Sequence, residues 1–334
     1  MQTTPRITVI GNGGFGTAIA VLLARKNLDV TIWGNNGEYL LECERVRENS
    51  RYLKGIALPQ NLKFNANLDA AVKDADLIVQ AVPTRHLRAV FADLNGVIPV
   101  ETPVLSLTKG IENETLLFPS EIIAQLTGAQ HVAVLSGPSM AEEIAKGQPA
   151  SVTIAHEKAE IATFAQHLCN TSTFRVYANQ DRVGVELGGA VKNVIAIAAG
   201  LSDGMGLGDN AKAALLARGM AELMRLGRAL GALDETFSGL AGVGDLYTTC
   251  ASPFGRNRGF GERLGKGMTI EEATEASGGM VVEGVNTAQS IIKLAAKHGV
   301  EMPIAESVHA VLYESIAPRD ALQALMTRDL RHEA

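Results

Sequence analysis

Residues 7–20, ITVIGNGGFGTAIA, place Gly11, Gly13, Gly14 and Gly16 between an apolar β-branched run and a helix-like run. Glycine weakens strand and helix interiors alike, so four of them at one junction need a reason. Ile7, Thr8, Val9 and Ile10 read as a buried strand, and Ala18, Ile19, Val21, Leu22 and Leu23 as a helix packed on a sheet. The intervening G-N-G-G-F-G fits the spacing G-x-G-x-x-G. In that pattern Gly11 permits a tight turn, Gly13 lets the backbone approach a pyrophosphate, and Gly16 lets helix and strand pack closely. The start of the helix adds unpaired N–H groups and a partial positive charge.

Three glycines at this spacing also occur in ordinary glycine-rich β-α turns, and context separates the two readings. The motif follows a strand, precedes a helix and begins near residue 1, as the first unit of a Rossmann domain does. A second apolar strand, Val30–Trp33, arrives after a helix-sized gap. A dinucleotide is therefore expected at the loop of Gly11, Gly13 and Gly16. An acidic residue after the second strand would favour NAD. This chain has Asn35 and Asn36 there, with no acid before Glu38 and no Arg or Lys in the turn. NAD(H) and NADP(H) both remain open. Arg51 lies nearby in sequence and reads equally well as a solvated surface residue.

The chain has 334 residues, enough for two domains with separate cores. Its apolar fraction of 46% and charged fraction of 20% are those of a globular protein. A net charge of −6 provides no broad basic field, which argues against nucleic acid or an anionic membrane as partner. Cys43, Cys169 and Cys250 are odd in number and form no C-x-x-C pair, as expected in a reducing compartment without a disulfide frame. MQTTPRITVIG lacks the basic start and long apolar core of a signal peptide, and its apolar run is too short to span a membrane. A cytoplasmic protein without stable membrane insertion is the expectation. The seven histidines show neither H-x-x-H nor H-E-x-x-H spacing, so no metal site is expected.

Apolar runs at 62–64, 77–82, 104–107, 131–135, 151–155 and 173–176 alternate with helical patterns. Such alternation predicts an α/β Rossmann-like N-terminal domain with a mostly parallel sheet. After about residue 180 the strand signal stops and helical periodicity takes over, broken by Gly204, Gly206 and Gly208. Residues 1–179 are thus assigned to a dinucleotide-binding domain and 180–334 to an all-α substrate and catalytic domain. Ligands usually sit at the carboxyl ends of such strands and beside such a boundary.

Several polar residues stand where chemistry is plausible. LSLTKGIE ends a strand with Lys109, and LSGPSMAEE ends the next with Gly137-Pro138-Ser139. GGAVKNVIAIAAG embeds Lys192 and Asn193 in an apolar helical run. Such a lysine either snorkels to solvent or is kept buried for acid–base work, where desolvation would lower its pKa. Asp245 is a candidate partner for it. Arg256 and Asn257 offer donors for a phosphate, or belong to a mobile basic loop.

GNGGFGTAIA, LSLTKGIE, LSGPSMAEE, ELGGAVKNVIAIAAGLSDGMGLGDNAKAALLARGMAE and GLAGVGDLYTTC…GRNRGFG occur in this order. With them the chain closely resembles the bacterial type of NAD(P)-dependent glycerol-3-phosphate dehydrogenase over nearly its whole length. The Lys-Asn helix and the G-D-L-x-x-T-C segment are far more specific than the glycine fingerprint. The resemblance implies a cofactor site at the fingerprint loop around Gly14 and Phe15, and at Asn35, Lys109, Ala141, Arg256, Val281 and Glu283. It implies a substrate site of Lys109, Gly137, Ser139, Lys192, Asn193, Asp245, Thr249, Gly255, Arg256 and Asn257, with Lys192, Lys109 and Asp245 catalytic. The family often has serine before the R-N pair, where this chain has Gly255. A hydroxyl contact is lost there, although a backbone N–H could still serve.

The implied reaction is the reversible reduction of dihydroxyacetone phosphate to sn-glycerol 3-phosphate, feeding glycerophospholipid synthesis. Chemistry suits the residues, because the new alkoxide needs a proton from Lys192 and positive charge from Lys109. A homodimer is the expected assembly, and an apolar helical half is compatible with it. Two other readings share the fold. One is a related reductase of the ketopantoate reductase or hydroxyacid dehydrogenase type, not expected to carry the Arg256-Asn257 segment in this form. The other is a non-catalytic NAD(H) sensor, which would not need Lys192, Lys109 and Asp245 together.

Overall fold

The structure, a computed structural model, describes residues 4–278, 281–330 and 332. Residues 1–3 of the N-terminal stretch, and Gly279 and Met280 of the segment GGMVVEGV, lie outside them. The chain forms two compact units, one of residues 1–109 and 117–186, the other of 110–116 and 187–334. The division falls inside a helix, Arg182–Gly204, rather than ahead of it.

The first unit is built on strands β1 (Arg6–Ile10), β2 (Asp29–Trp33), β3 (Glu48–Asn49), β4 (Leu53–Ala57), β5 (Lys63–Phe64), β6 (Leu77–Gln80), β7 (Val104–Ser106), β8 (Val132–Ser136), β9 (Ala150–Ala155) and β10 (Phe174–Asn179). Eight of them form one sheet in the order β10-β9-β8-β7-β6-β1-β2-β5, while β3 and β4 make a separate antiparallel hairpin. Neighbours in the large sheet are parallel except β8 and β9. All residues of β6 and β8 are buried, which is why they read as unbroken apolar runs instead of alternating ones. Alternate side chains supply two cores. Val9, Val79, Leu105 and Ala133 belong to one, and Ile10, Ile78, Val104 and Val132 to the other.

β1 pairs with β2 on one side and β6 on the other, so the chain leaves β1 in one direction and later returns to its opposite edge. This is the switch point of a doubly wound sheet, where the carboxyl ends of neighbouring strands open a crevice. The fingerprint loop follows β1 directly.

The second unit is helical in its described residues. Its helices include Gly208–Ala229, Asp245–Ala251, Arg256–Gly265, Glu283–Lys297, Pro303–Tyr313 and Pro318–Met326, with a π-helical turn at Leu240–Gly244. Gly206 and Gly208 have φ of +71° and +81°, which ends one helix and begins the next where the glycine cluster stands in the sequence. The helix Arg182–Gly204 is long and apolar enough to cross a membrane, and 94% of that apolar window is buried inside the protein. Among the described residues no group of three or more His, Cys, Asp or Glu side chains could hold a metal ion.

Candidate active site

The glycines of the fingerprint serve different geometric ends. Gly11 has φ of +112° and donates its N–H to the Trp33 carbonyl at 2.9 Å. A β-carbon on Gly16 would stand 2.1 Å from the Gly11 carbonyl oxygen and 2.9 Å from Cβ of Ala81, so only glycine lets this helix lie against the ends of β1 and β6. Gly13 differs, because a β-carbon there would meet nothing within 4 Å.

Gly13 is also the N-cap of helix Gly14–Arg25, which has no side-chain cap and no acidic residue in its first turn. Its leading N–H groups are therefore available to an anion. Within the same loop Nδ2 of Asn12 is buried with no hydrogen-bond partner among the described residues. A buried donor left unpaired is costly, and an acceptor arriving at the loop would satisfy it. Clearance over Gly13, an uncapped helix and an orphaned donor all fit a dinucleotide pyrophosphate. Phe15 packs on the sheet core, and Cβ of Ala141 lies 3.9 Å from the β-position of Gly14. Asn35 is exposed just beyond the end of β2, whereas Asn36 is engaged as a helix cap, accepting from Tyr39 N–H at 2.9 Å.

Lys109 follows β7, and Gly137 and Ser139 follow the neighbouring β8. Lys109 Nζ donates to the Gly137 carbonyl at 3.1 Å and to Ser139 Oγ at 3.4 Å, and Ser139 Oγ donates to the same carbonyl at 2.7 Å. Beneath them is a polar cluster that the sequence reading passed over. Buried Gln80 accepts from Ser106 Oγ at 2.9 Å and donates to the Val82 carbonyl at 2.7 Å and to Thr108 Oγ1 at 2.9 Å. It ties the ends of β6 and β7 together, one residue before Lys109. Its signal was a lone glutamine inside the apolar run LIVQAV.

In the second unit Lys192 is 6% exposed and Asp245 2%. Lys192 Nζ donates to Asp245 Oδ1, and to Thr249 Oγ1 at 2.9 Å. The side chain therefore does not snorkel, because its charge is met by a carboxylate inside the protein. Asp245 and Thr249 are four residues apart on helix Asp245–Ala251 and so share one face. Thr249 is oriented by donating to the Asp245 carbonyl at 2.7 Å. Next to them Cys250 is buried, and burial pushes its thiol up to about 12. It stays protonated and is not a nucleophile.

Asn193 points to different partners. It accepts from Asn257 Nδ2 at 2.9 Å and donates to the Gly189 carbonyl at 3.3 Å, while Asn257 Oδ1 accepts from Gly284 N–H at 2.9 Å. The R-N pair is not in a loop: Arg256 and Asn257 open helix Arg256–Gly265. Gly255 is its N-cap, without a side-chain cap or a first-turn acid. A β-carbon on Gly255 would lie 2.9 Å from the Thr249 carbonyl oxygen. Exposed Arg256 donates to the Val281 carbonyl at 3.3 Å, and Glu283 begins the helix Glu283–Lys297.

A glycine loop built for a pyrophosphate, in a chain whose helical unit keeps a lysine paired and buried, marks a two-unit dinucleotide-dependent oxidoreductase. Comparison with known proteins narrows that class. The N-terminus of the NAD-dependent glycerol-3-phosphate dehydrogenase family matches residues 6–162 and its C-terminus residues 181–323, and the chain belongs to that family. Glycerol-3-phosphate dehydrogenase [NAD(P)+] 2 of Salinibacter ruber is 47% identical over 98% of this chain and 96% of its own length. Glycerol-3-phosphate dehydrogenase [NAD(P)+] of Streptomyces coelicolor is 45% identical over 100% of this chain and 99% of its own. Among solved structures, the glycerol-3-phosphate dehydrogenase of Coxiella burnetii superposes with a TM-score of 0.93 at 38% identity, covering 97% of this chain and 99% of that one.

Proposed function

We propose that the protein catalyses the reversible NAD(P)H-dependent reduction of dihydroxyacetone phosphate to sn-glycerol 3-phosphate. The observation that carries this reading is the buried Lys192 hydrogen-bonded to Asp245 and Thr249, in a chain of this family. The bound nicotinamide supplies the hydride. Lys192 polarises the substrate carbonyl and gives its oxygen a proton, and in the reverse direction neutral Lys192 takes that proton back. Asp245 and Thr249 hold Nζ in one orientation. Lys109, steadied by Gly137 and Ser139, adds positive charge where negative charge develops.

Arg256, Asn257 and the N–H groups following Gly255 take the substrate phosphate, and Asn193 fixes the Asn257 amide. Gly11, Gly13, Gly14, Phe15, Gly16, Asn35, Lys109, Ala141, Arg256, Val281 and Glu283 serve the cofactor. In this reading residues 1–179 bind the dinucleotide and 180–334 the substrate. The enzyme works in the cytoplasm as a homodimer without membrane insertion, and its product enters glycerophospholipid synthesis. The net charge of −6 and the burial of the one long apolar helix among the described residues support the absence of a membrane partner.

The test is loss of reduced-nicotinamide absorbance on adding dihydroxyacetone phosphate, run with NADH and with NADPH. Turnover that disappears in a folded Lys192→Ala variant supports substrate and residue together. No turnover by a chain that still binds either cofactor would move the assignment to another two-domain reductase.

A further inference from the structure

The turn after β2 carries neither the acid that would favour NADH nor a base that would hold NADPH. The fold supplies a base from elsewhere in the first unit. Asn49, 1% exposed, donates through Nδ2 to the Asn12 carbonyl of the fingerprint and to Thr17 Oγ1, both at 2.8 Å. The Tyr52 carbonyl oxygen lies 2.8 Å from the β-position of Gly14. The segment from Asn49 to Tyr52 is thus laid along the glycine loop. Between these anchors stands Arg51.

Arg51 is tied to the helix that follows the neutral turn. Its N–H donates to the Tyr39 hydroxyl at 2.8 Å, and that hydroxyl donates to Asn49 Oδ1 at 2.7 Å. Tyr39 is itself set by Asn36, whose side chain caps its N–H. The Arg51 guanidinium lies over the Tyr39 ring at 4.4 Å and near the Tyr52 ring at 5.9 Å, and the two rings meet edge to face. It is exposed, and among the described residues its guanidinium has no ion pair and no hydrogen bond. The neighbouring Arg47, by contrast, is committed to the Leu62 carbonyl at 2.8 Å. Two aromatic faces hold a forked cation in place with its donors uncommitted, against the helix that follows β2, the strand at whose carboxyl end the adenosine ribose of a dinucleotide lies.

We propose that Arg51 is the specificity-determining residue for the cofactor: its guanidinium binds the 2′-phosphate of NADPH and makes NADPH the preferred reductant. Arginine suits this role because its planar fork meets phosphate oxygens with two parallel charge-assisted hydrogen bonds. Prior bracing by Tyr39 and Tyr52 reduces the side-chain entropy lost on binding. The proposal rests on the dinucleotide-dependent reading above and extends it to the choice between the two cofactors.

The test uses the whole protein and fragments without a nicotinamide, so it does not depend on turnover. Adenosine 2′,5′-bisphosphate and adenosine 5′-diphosphate are titrated calorimetrically into the wild type, Arg51→Leu and Arg51→Lys. The wild type should bind the 2′-phosphorylated fragment more tightly. Arg51→Leu should weaken that binding roughly ten- to hundred-fold, leave the 5′-diphosphate unchanged, and shift the ratio of kcat/KM for NADPH over NADH by a similar factor. Arg51→Lys should keep part of the preference, because charge remains while the fork is lost. Equal weakening of both fragments would overturn the proposal, since Arg51 would then serve the adenine or the loop. No change in either fragment would overturn it as well. Binding that behaves as expected without reduction of dihydroxyacetone phosphate would sink the substrate assignment and leave this one standing.

Discussion

Replacing Lys192 by methionine keeps an unbranched stem of similar length and removes the ammonium. Asp245, 2% exposed, then loses the cation that faces it. Breaking a buried pair from one side costs about 3–5 kcal/mol, because the remaining charge is left uncompensated in a poorly polarisable interior. Domain stabilities are about 5–15 kcal/mol, so the variant should fold but unfold at a clearly lower urea concentration. Neutralising the partner as well, in Lys192→Met/Asp245→Asn, removes the stranded charge, and about 2 kcal/mol or more of the loss should return. Activity should behave differently. General-acid catalysis contributes about 10²–10⁴-fold, so kcat should fall by that factor in the single variant and stay low in the double. Affinity for NADH should remain within about two-fold of wild type, since the residue is assigned to proton transfer and not to holding the cofactor. Urea unfolding, steady-state reduction of dihydroxyacetone phosphate and calorimetric NADH titration read the three quantities. A single variant that keeps kcat within about ten-fold of wild type would refute the proton-donor role. A double variant no more stable than the single would refute the argument that the two charges compensate each other.

Gly13→Ala separates binding from folding: the added β-carbon meets no atom within 4 Å, so the melting temperature should not move, while the dissociation constant for NADH should rise by about ten-fold or more through contact with the pyrophosphate. Unaltered NADH affinity in this variant would show that the cofactor does not approach Gly13. Arg256→Ala should raise KM for dihydroxyacetone phosphate about ten- to hundred-fold with a smaller change in kcat, as loss of a phosphate contact made equally in ground and transition states. A KM that stays put would remove Arg256 from the phosphate site. Burial pushes Glu222 up to about 7 from 4.5, although the N–H groups of Ile304 and Ala305 at the start of helix Pro303–Tyr313 pull the other way. A carboxyl whose folded pKa is raised contributes stability in full below about 4.5 and loses it as pH rises through about 7, here on the order of 3 kcal/mol. Glu222→Gln should therefore gain melting temperature relative to wild type as pH is raised from 4.5 to 8, and parallel profiles would exclude Glu222 as the titrating group.

The parts of the fold legible in the sequence are those whose physics is local. β1, β6 and β8 are buried on both faces, so each is an apolar run bounded by turn residues, and the fingerprint is a contiguous pattern. Helix Gly37–Val46 and the β3–β4 hairpin were not read, because GEYLLECERV is charged on most of its surface and the hairpin has only two residues in β3. What holds that region is Asn49, reaching the fingerprint 37 positions earlier in the chain, and no window of sequence shows such a contact. The composition of the two compact units is hard to read for a similar reason. Loss of strand pattern marks the start of helix Arg182–Gly204, but the helix passes from one unit into the next without a break in periodicity, and nothing local assigns Gly110–Leu116 to the second unit.

For the candidate site, the sequence supplied residue types and the structure supplied their partners. Lys192 and Asn193 are adjacent, and successive residues of an α-helix point about 100° apart. That offset sends Lys192 to the Asp245–Thr249 face of one helix and Asn193 to Asn257 at the start of another, which in turn receives Gly284 at the start of a third. A two-residue motif therefore orients two groups at once: the ammonium through a carboxylate and a hydroxyl, and the Asn257 terminus through a chain of amides. The same geometry explains why neither residue could move along the helix alone. Shifting the lysine by one position would turn it away from Asp245, leaving a carboxylate buried without its cation. Shifting the asparagine would leave the Asn257 amide without the acceptor that fixes which of its atoms faces Gly284. The Lys-Asn pair is more informative than the glycine fingerprint for this physical reason: glycines are required by one turn, whereas this pair is constrained by three other helices.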